Sequence, residues 1–227
     1  MQWSYMLKGT YFFDRGNYAE SEKMLRRAIS LNWNSWAPHN NLGRTLQRQG
    51  KLDEAIAQYH RAIDLNPRSA VAYNNLGLGL AEKAKPTGKL DDAIAEYRHA
   101  IELDRRYPHP HNNLGLALYN QGKVDDAIAE YHRAIQLNPK YANPHAHLGA
   151  ALYHRGKVDD AAAEYRQAIE IDPKNAIAHN GLGLVLSDQG QIDDAIADNR
   201  RAIEIDPNYR NARENLENAL RIKSAAK

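Results

Sequence analysis

A short motif that returns at a nearly constant interval constrains this sequence more than any other feature. A Leu-Gly pair occurs five times, at Gly43, Gly77, Gly115, Gly149 and Gly183, and the intervals are 34, 38, 34 and 34 residues. A fixed period of roughly 20 to 50 residues is typical of repeat proteins, in which each unit buries its apolar face only by stacking on its neighbours. The 227 residues therefore predict an array of stacked repeats.

Each repeat predicts two helices. In the second repeat, Leu42 and Leu46 lie on one apolar stripe of a first helix, and Ala55, Tyr59 and Ala62 lie on one stripe of a second helix. The first stretch of the chain follows the same pattern more loosely. We expect an all-α fold of six helix pairs and a C-terminal capping helix, with repeats at 2–35, 36–69, 70–107, 108–141, 142–175 and 176–209 and the capping helix at 210–227.

The period and the phrase that follows each second glycine resemble the tetratricopeptide repeat (TPR) family. Leu-Gly in the first helix, a tyrosine such as Tyr59 in the second and a closing proline such as Pro67 carry the resemblance. The resemblance implies a right-handed α-solenoid whose first helices line a concave groove, extending over residues 1–227 as a single array. Within the family, the repeats are most similar to those of O-linked N-acetylglucosamine transferases.

Composition excludes several classes of protein. Lys and Arg number 30 against 28 Asp and Glu, and a net charge of +2 is not the electrostatic signature of a nucleic-acid or membrane-surface binder. The absence of cysteine excludes disulfides, thiolate metal sites and cysteine nucleophiles. The first residues lack the plan of a signal peptide. We expect a cytoplasmic protein, with the periplasm left open. The chain starts almost directly in a helical pattern, which leaves open that it is a piece of a longer protein.

Paired asparagines precede three of the Leu-Gly motifs, at Asn40-Asn41, Asn74-Asn75 and Asn112-Asn113. Asparagine is a poor helix former, so its recurrence within predicted helices needs a reason. At about 100° per residue, Asn41 points away from the stripe that contains Leu42. The sequence therefore predicts that these asparagines lie outside the core, either as a solvated helix face or as a binding surface.

The resemblance favours the binding surface. In the similar transferases, an asparagine two places before the small residue hydrogen-bonds the main chain of an extended peptide, and Asn41, Asn75 and Asn113 match that place. His147, Gly181 and Leu7 do not match it, so this set should weaken at both ends. An amide donates and accepts, which suits a peptide backbone. The predicted peptide-binding residues are Asn40, Asn41, Arg44, Arg48, Asn74, Asn75, Leu78, Asn112, Asn113, Tyr119, Asn120, His147, Tyr153 and Asn180.

Catalytic and metal sites have little support in the sequence. His109 and His111, and likewise His145 and His147, are two residues apart, which separates them by about 200° on a helix. A zinc helix uses a four-residue spacing. No pattern combines a nucleophile, a base and an orienting third group. We expect a non-enzymatic protein that needs no metal or cofactor, binds no nucleic acid and does not insert into membranes.

Aromatic residues are concentrated at the N-terminal end, where all three tryptophans and both phenylalanines lie within the first 36 residues. They either cover the end of the core or pack on an upstream segment or a second copy of the chain. We assign self-association to Trp3, Phe12 and Phe13. The leading function is thus a scaffold that binds an extended peptide of a protein partner. The alternatives are a self-assembling scaffold and the substrate-recruiting region of a larger enzyme.

Overall fold

The computed structural model describes residues 2–31, 34–85 and 87–225, and within these ranges the chain forms thirteen α-helices and no strand. Trp33 and the last two residues of the predicted capping helix lie outside the described residues. The predicted all-α array of helix pairs is confirmed. The helices are α1 Gln2–Asp14, α2 Tyr18–Ser30, α3 Trp36–Arg48, α4 Leu52–Leu65, α5 Ala70–Ala84, α6 Asp91–Leu103, α7 Pro108–Asn120, α8 Val124–Leu137, α9 Ala142–His154, α10 Val158–Ile171, α11 Ala176–Asp188, α12 Ile192–Ile205 and α13 Arg210–Ala225.

The helices are distributed over two compact units, Met1–Ala117 and Leu118–Lys227. In the first unit α1 packs on α2, α3 on α4 and α5 on α6, and these pairs are joined by contacts of α2 with α3 and of α4 with α5. In the second unit α9 packs on α10, α11 on α12, and α13 on both α11 and α12. No helix in the described residues is both long enough and apolar enough to cross a bilayer.

The Leu-Gly motif is explained by the closeness of the two helices in a pair. A Cβ atom added at Gly43 would lie 2.5 Å from Cε1 of Tyr59, and one at Gly77 would lie 2.6 Å from Cε1 of Tyr97. Both tyrosine rings are buried. The tyrosine ring of the second helix therefore packs directly against the backbone of the first helix at the glycine. A larger residue there would force the helices apart.

The second glycine of each repeat ends the first helix. Gly50, for example, has a φ of +77°, a left-handed conformation that glycine adopts without steric cost. Its N–H donates to the carbonyl of Gln47 at 2.9 Å, and the N–H of Lys51 donates to that of Leu46 at 2.9 Å. These bonds satisfy carbonyls at the end of α3 and reverse the chain toward α4.

The repeat with the 38-residue interval has a longer first helix. α5 contains 15 residues, whereas α3 contains 13. The ammonium group of Lys83, in the last turn of α5, lies 2.5 Å from a carboxylate oxygen of Asp53 at the start of α4. The extra residues thus partly extend the helix.

Candidate functional site

The paired asparagines lie largely in the protein interior. Asn40, Asn74, Asn75 and Asn112 are buried, at 4%, 3%, 8% and 3% exposure, as is Asn180. The prediction that these residues lie outside the core was wrong, because the helix face beside the Leu-Gly stripe packs against the first helix of the neighbouring repeat. Asn41 and Asn113, which we also assigned to peptide binding, are half-buried.

Side-chain amides of the first unit form one unbroken chain of donors and acceptors. Asn75 Nδ2 donates to Asn40 Oδ1 at 2.9 Å, and Asn113 Nδ2 donates to Asn74 Oδ1 at 2.9 Å, so each of these bonds joins two successive first helices. Within α5, Asn74 Nδ2 donates to Asn75 Oδ1 at 3.4 Å, and within α7, Asn112 Nδ2 donates to Asn113 Oδ1 at 3.2 Å. We call Asn40, Asn74, Asn75, Asn112 and Asn113 the asparagine relay.

The second unit of the chain contains one amide–amide bond of the same kind and one place where a tyrosine ring stands instead of the amides. Asn215 Nδ2 on α13 donates to Asn180 Oδ1 on α11 at 2.9 Å. At the preceding repeat the corresponding residues are Ala146 and Gly181, and the ring of Tyr165 lies so close to Gly181 that a Cβ there would overlap it. The sequence shows this pairing three times, at Asn40–Asn75, Asn74–Asn113 and Asn180–Asn215, whereas Asn112 is followed at the second place by His147.

Side chains from three successive first helices surround a cavity of about 450 Å³ in the first unit. α1 contributes Phe13, α3 and α5 contribute most of the wall, and Tyr59 comes from α4. We call this cavity the α3–α5 pocket. Its lining residues are Phe13, Arg44, Gln47, Arg48, Tyr59, Asn75, Leu78 and Glu82.

Some of the polar groups that line the α3–α5 pocket are hydrogen-bonded to one another. The Tyr59 hydroxyl donates to Gln47 Oε1 at 2.8 Å, and Gln47 Nε2 donates to Glu82 Oε2 at 2.9 Å. Burial raises the pKa of Tyr59, so its hydroxyl remains a donor at neutral pH. The guanidinium carbon of Arg44 lies 4.6 Å from the centre of the Phe13 ring. Sequence analysis predicted Arg44, Arg48, Asn75 and Leu78 as binding residues, and it did not predict the hydrogen bonds that join Tyr59, Gln47 and Glu82.

In the second unit the predicted aromatic residues form separate contacts. The rings of Tyr119 and His154 meet edge to face, with centres 6.0 Å apart. The Tyr153 hydroxyl donates to Asp188 Oδ2 at 2.5 Å, and this bond is the main reason that the pKa of Tyr153 rises to about 12. Asn120 is exposed.

His147 packs inward on the second helix of the preceding pair. Its ring centre lies 5.6 Å from that of Tyr131, and burial lowers its pKa to about 4, so the imidazole is neutral at pH 7. The structure therefore gives His147 a packing contact with Tyr131, and its assignment to peptide binding stays a prediction.

A second cavity, of about 350 Å³, borders the last repeat. It reaches Asn199, the residue that stands where four other second helices carry tyrosine. Asn199 Nδ2 donates to the Ala195 carbonyl at 2.9 Å, and its buried Oδ1 finds no hydrogen-bond partner among the described residues. The missing ring thus leaves both space and an unsatisfied acceptor.

The histidines at the recurrent place in the first helices join the two helices of a pair. Nδ1 of His39 lies 2.8 Å from Gln58 Oε1, Nδ1 of His145 lies 2.7 Å from Glu164 Oε2, and Nδ1 of His179 lies 2.7 Å from Asp198 Oδ1. Over the part of the chain that the structure describes, no three His, Asp or Glu side chains are grouped as metal ligands.

The aromatic N-terminal edge divides into an outer and an inner part. Trp3 is 62% exposed on α1, whereas Phe12 and Phe13 are half-buried. Leu7 and Tyr11 are also exposed and follow Trp3 at four-residue intervals, so the three form one stripe. The outer surface is therefore Trp3, Leu7 and Tyr11, and Phe13 belongs to the α3–α5 pocket.

Family profiles of the TPR repeat match most of the chain. One, described as TPR repeat, matches residues 46–83, 87–122, 117–154 and 151–190. Three others, described as tetratricopeptide repeat, match 176–209, 24–57 and 4–32. No curated protein sequence matches the chain significantly.

Solved structures share the fold. A chain of the APC/C hetero-tetramer Cut9–Hcn1 superposes with a TM-score of 0.82 at 22% identity over 95% of this chain, which spans only 42% of that chain. PilF of Pseudomonas aeruginosa gives a TM-score of 0.76 at 21% identity over 94% of this chain and 95% of that one. MamA gives 0.58 at 26% identity over 73% and 95%.

Proposed function

Because the chain belongs to the tetratricopeptide repeat family, whose scaffold is typical of protein–protein interaction, we propose that it is a non-enzymatic module that binds an extended peptide segment of a partner protein along its first helices. A peptide in an extended conformation can touch equivalent places on successive repeats. In the first unit the proposal places the peptide against the α3–α5 pocket. In the second unit, Tyr119, Asn120 and Tyr153 are proposed as peptide contacts of that unit by itself.

The observation that carries this proposal is the composition of the α3–α5 pocket. Leu78 offers an apolar contact, while Arg44 and Arg48 offer donors that a peptide can use. Sites that recognise peptides combine an apolar lining with a few oriented polar groups in this way.

The asparagines divide between two tasks in this proposal. An amide nitrogen carries two hydrogens and an amide oxygen two lone pairs, so one inter-helix bond leaves capacity for another partner. Asn41 and Asn113 are half-buried and can use that capacity on a peptide main chain, whereas Asn40, Asn74, Asn112 and Asn180 are buried between helices. Asn75 lines the pocket and belongs to both groups.

A selection of random dodecapeptides displayed on phage, followed by fluorescence anisotropy with the selected peptide, tests the proposal. Leu78→Asp places a charge in the pocket wall and should weaken binding by at least about tenfold, which corresponds to about 1.4 kcal/mol. Ala57→Asp adds the same charge at an exposed site on α4 and should leave the affinity unchanged. Failure to select any peptide, or equal loss in both variants, would contradict binding at this surface.

The exposed stripe on α1 favours self-assembly as a second function. In α5, a Cβ added at Gly79 would contact Ile56 and Tyr59 of the preceding second helix. Tyr11 occupies the equivalent place in α1 and is exposed. A second copy of the chain could cover this face, which would bury Trp3, Leu7 and Tyr11 together.

A further inference from the structure

We propose that the cavity of about 350 Å³ beside Asn199 binds a small neutral phenol, whose hydroxyl donates a hydrogen bond to Asn199 Oδ1. We call this space the α11–α13 cavity, because those two helices supply most of its wall. It lies within the second unit of the chain. The inference does not depend on the proposed binding of a peptide.

The α11–α13 cavity lies where other repeats hold a ring. Four second helices carry a buried tyrosine at the place of Asn199, namely Tyr59, Tyr97, Tyr131 and Tyr165. Asparagine is smaller than tyrosine, so part of the space that a ring fills elsewhere stays open beside it. A cavity of about 150 Å³ is enough to bind benzene. The α11–α13 cavity, at about 350 Å³, therefore has room for one substituted ring.

Asn199 supplies an acceptor that the described residues leave unused. Its side chain is fully buried, and its Nδ2 donates to the Ala195 carbonyl at 2.9 Å. Its Oδ1 accepts no hydrogen bond within the described ranges of the chain. A buried polar atom without a partner lowers stability, so a ligand that donates to it removes that cost on binding. The ligand must therefore carry an O–H or N–H group, which an ionised carboxylate lacks.

The wall of the α11–α13 cavity favours a neutral ligand with an apolar body. Leu184 on α11 and Ile222 on α13 offer apolar surface. Asp188 and Arg221 are the charged residues of the described wall, and their opposite charges favour neither an anion nor a cation. Apolar surface beside one oriented polar atom is typical of small-molecule sites. A phenol matches both parts of this wall.

Other donors match the cavity less well. An ammonium ion would lose its hydration against a wall that has no net negative charge, which is costly. An aliphatic alcohol lacks the flat ring that the corresponding space holds in four other repeats. A phenol is also more acidic than an aliphatic alcohol and is therefore the stronger donor to an amide oxygen.

The test titrates p-cresol, which is the side chain of tyrosine, into the full chain labelled with ¹⁵N. We expect saturable NMR shifts of the Asn199 side-chain amide and of the Gly183 N–H, because both groups border the cavity. Toluene has the same ring and methyl group but no hydroxyl, and it should bind at least about tenfold more weakly. No saturable shift up to the solubility limit of p-cresol, or equal affinities for the two compounds, would overturn the inference.

Two peptides identify the source of the phenol. Ala-Ala-Tyr-Ala-Ala, acetylated and amidated at its ends, offers a tyrosine side chain, and its phenylalanine analogue lacks only the hydroxyl. If the tyrosine peptide binds more tightly than p-cresol does, the ligand is a tyrosine side chain of a partner. If p-cresol binds more tightly, the ligand is a free phenol. Equal binding of the two peptides, together with equal binding of p-cresol and toluene, would contradict a role for the hydroxyl.

Variants localise the effect, with the Gly183 N–H as the signal. Asn199→Ala removes the acceptor and should abolish the preference for p-cresol over toluene. Asn211→Ala is the matched control at an exposed site on α13 and should keep that preference. An unchanged preference in Asn199→Ala, or its loss in Asn211→Ala, would show that the hydroxyl does not bind Asn199.

A second pair of variants blocks the cavity itself. Asn199→Tyr fills the space with a ring of the chain's own and should abolish the binding of both compounds. If this variant does not fold, Ile222→Asp places a charge on the exposed part of the wall and should weaken the binding of both. Undiminished binding of p-cresol to the folded Asn199→Tyr variant, or to Ile222→Asp, would place the phenol outside the α11–α13 cavity and overturn the assignment.

Discussion

Asn199 stands where the second helices of four other repeats carry a tyrosine, and the structure shows what that exchange leaves behind. The space next to it is a cavity of about 350 Å³, and its Oδ1 has no partner in the described part of the chain. Gly183 already lacks a side chain, as Gly43 does beneath Tyr59. The last repeat therefore retains the glycine that makes room for a tyrosine ring, although Asn199 stands in place of the tyrosine.

We expect Asn199→Tyr to raise the free energy of unfolding by about 1–3 kcal/mol, because it buries an apolar ring and removes an unsatisfied acceptor. Urea denaturation followed by circular dichroism measures the change. Asn199→Ala is the control, since it removes the acceptor and enlarges the cavity, and it should not stabilise the protein. A less stable tyrosine variant would show that the packing around Gly183 has no room for the ring.

At the level of helices, the asparagine relay joins the first helices of three successive repeats, α3, α5 and α7. Asn75→Ala removes two hydrogen bonds in one step. It removes the Nδ2 group that donates to Asn40 Oδ1 and the Oδ1 atom that accepts from Asn74 Nδ2. An unsatisfied buried amide costs about 1–3 kcal/mol, whereas alanine gains at most about 0.7 kcal/mol in helix propensity. We therefore expect a net loss of stability, measured as a lower denaturation midpoint in urea.

Asn41→Ala is the matched control for the relay. Asn41 precedes the same Leu-Gly motif on α3, but it is half-buried and makes one long bond, 3.4 Å to Thr10 Oγ1. Its replacement should change stability by less than that of Asn75. Equal effects of the two substitutions would mean that the relay bonds add nothing to the stacking of α3 on α5.

The helix pair could be predicted from the sequence, but the relay could not. Gly43 and Tyr59 belong to one repeat, and such a glycine and tyrosine recur together in four repeats, 16 residues apart in three of them and 20 apart in the repeat with the insertion. This recurrence indicates a contact inside the repeat. A helical projection of α5 alone places Asn75 away from the apolar stripe that packs on α6. It does not show that Asn40, 35 residues earlier, lies on that side. The burial of the asparagines depends on the neighbouring repeat, so only the stacked structure reveals it.

For the whole molecule, the exposed stripe on α1 predicts association between copies of the chain. Size-exclusion chromatography with light scattering should show a mass that rises with concentration, because burying Trp3, Leu7 and Tyr11 removes apolar area from water. Trp3→Ala with Tyr11→Ala should give a monomer with unchanged helical circular dichroism.

The control for association is Val71→Ser with Ile177→Ser, which changes two exposed apolar residues outside α1. These substitutions should leave the concentration dependence as it is. A wild-type chain that is monomeric at every concentration would exclude self-assembly through this stripe. Phe13 is unsuitable for the test because its ring contacts Arg44.

The pairing of asparagines between repeats also bears on how such an array can lengthen. A repeat that carries both asparagines presents the same acceptor to its successor and the same donor to its predecessor, as the bonds of Asn75 to Asn40 and of Asn113 to Asn74 show. A tandem duplication of such a repeat would create a new junction without any compensating substitution. Ala146 and Gly181 form a different junction, in which Tyr165 occupies the space of the amides. An asparagine at position 181 would overlap that ring, so a repeat with asparagine at both places could not follow this boundary without a further substitution.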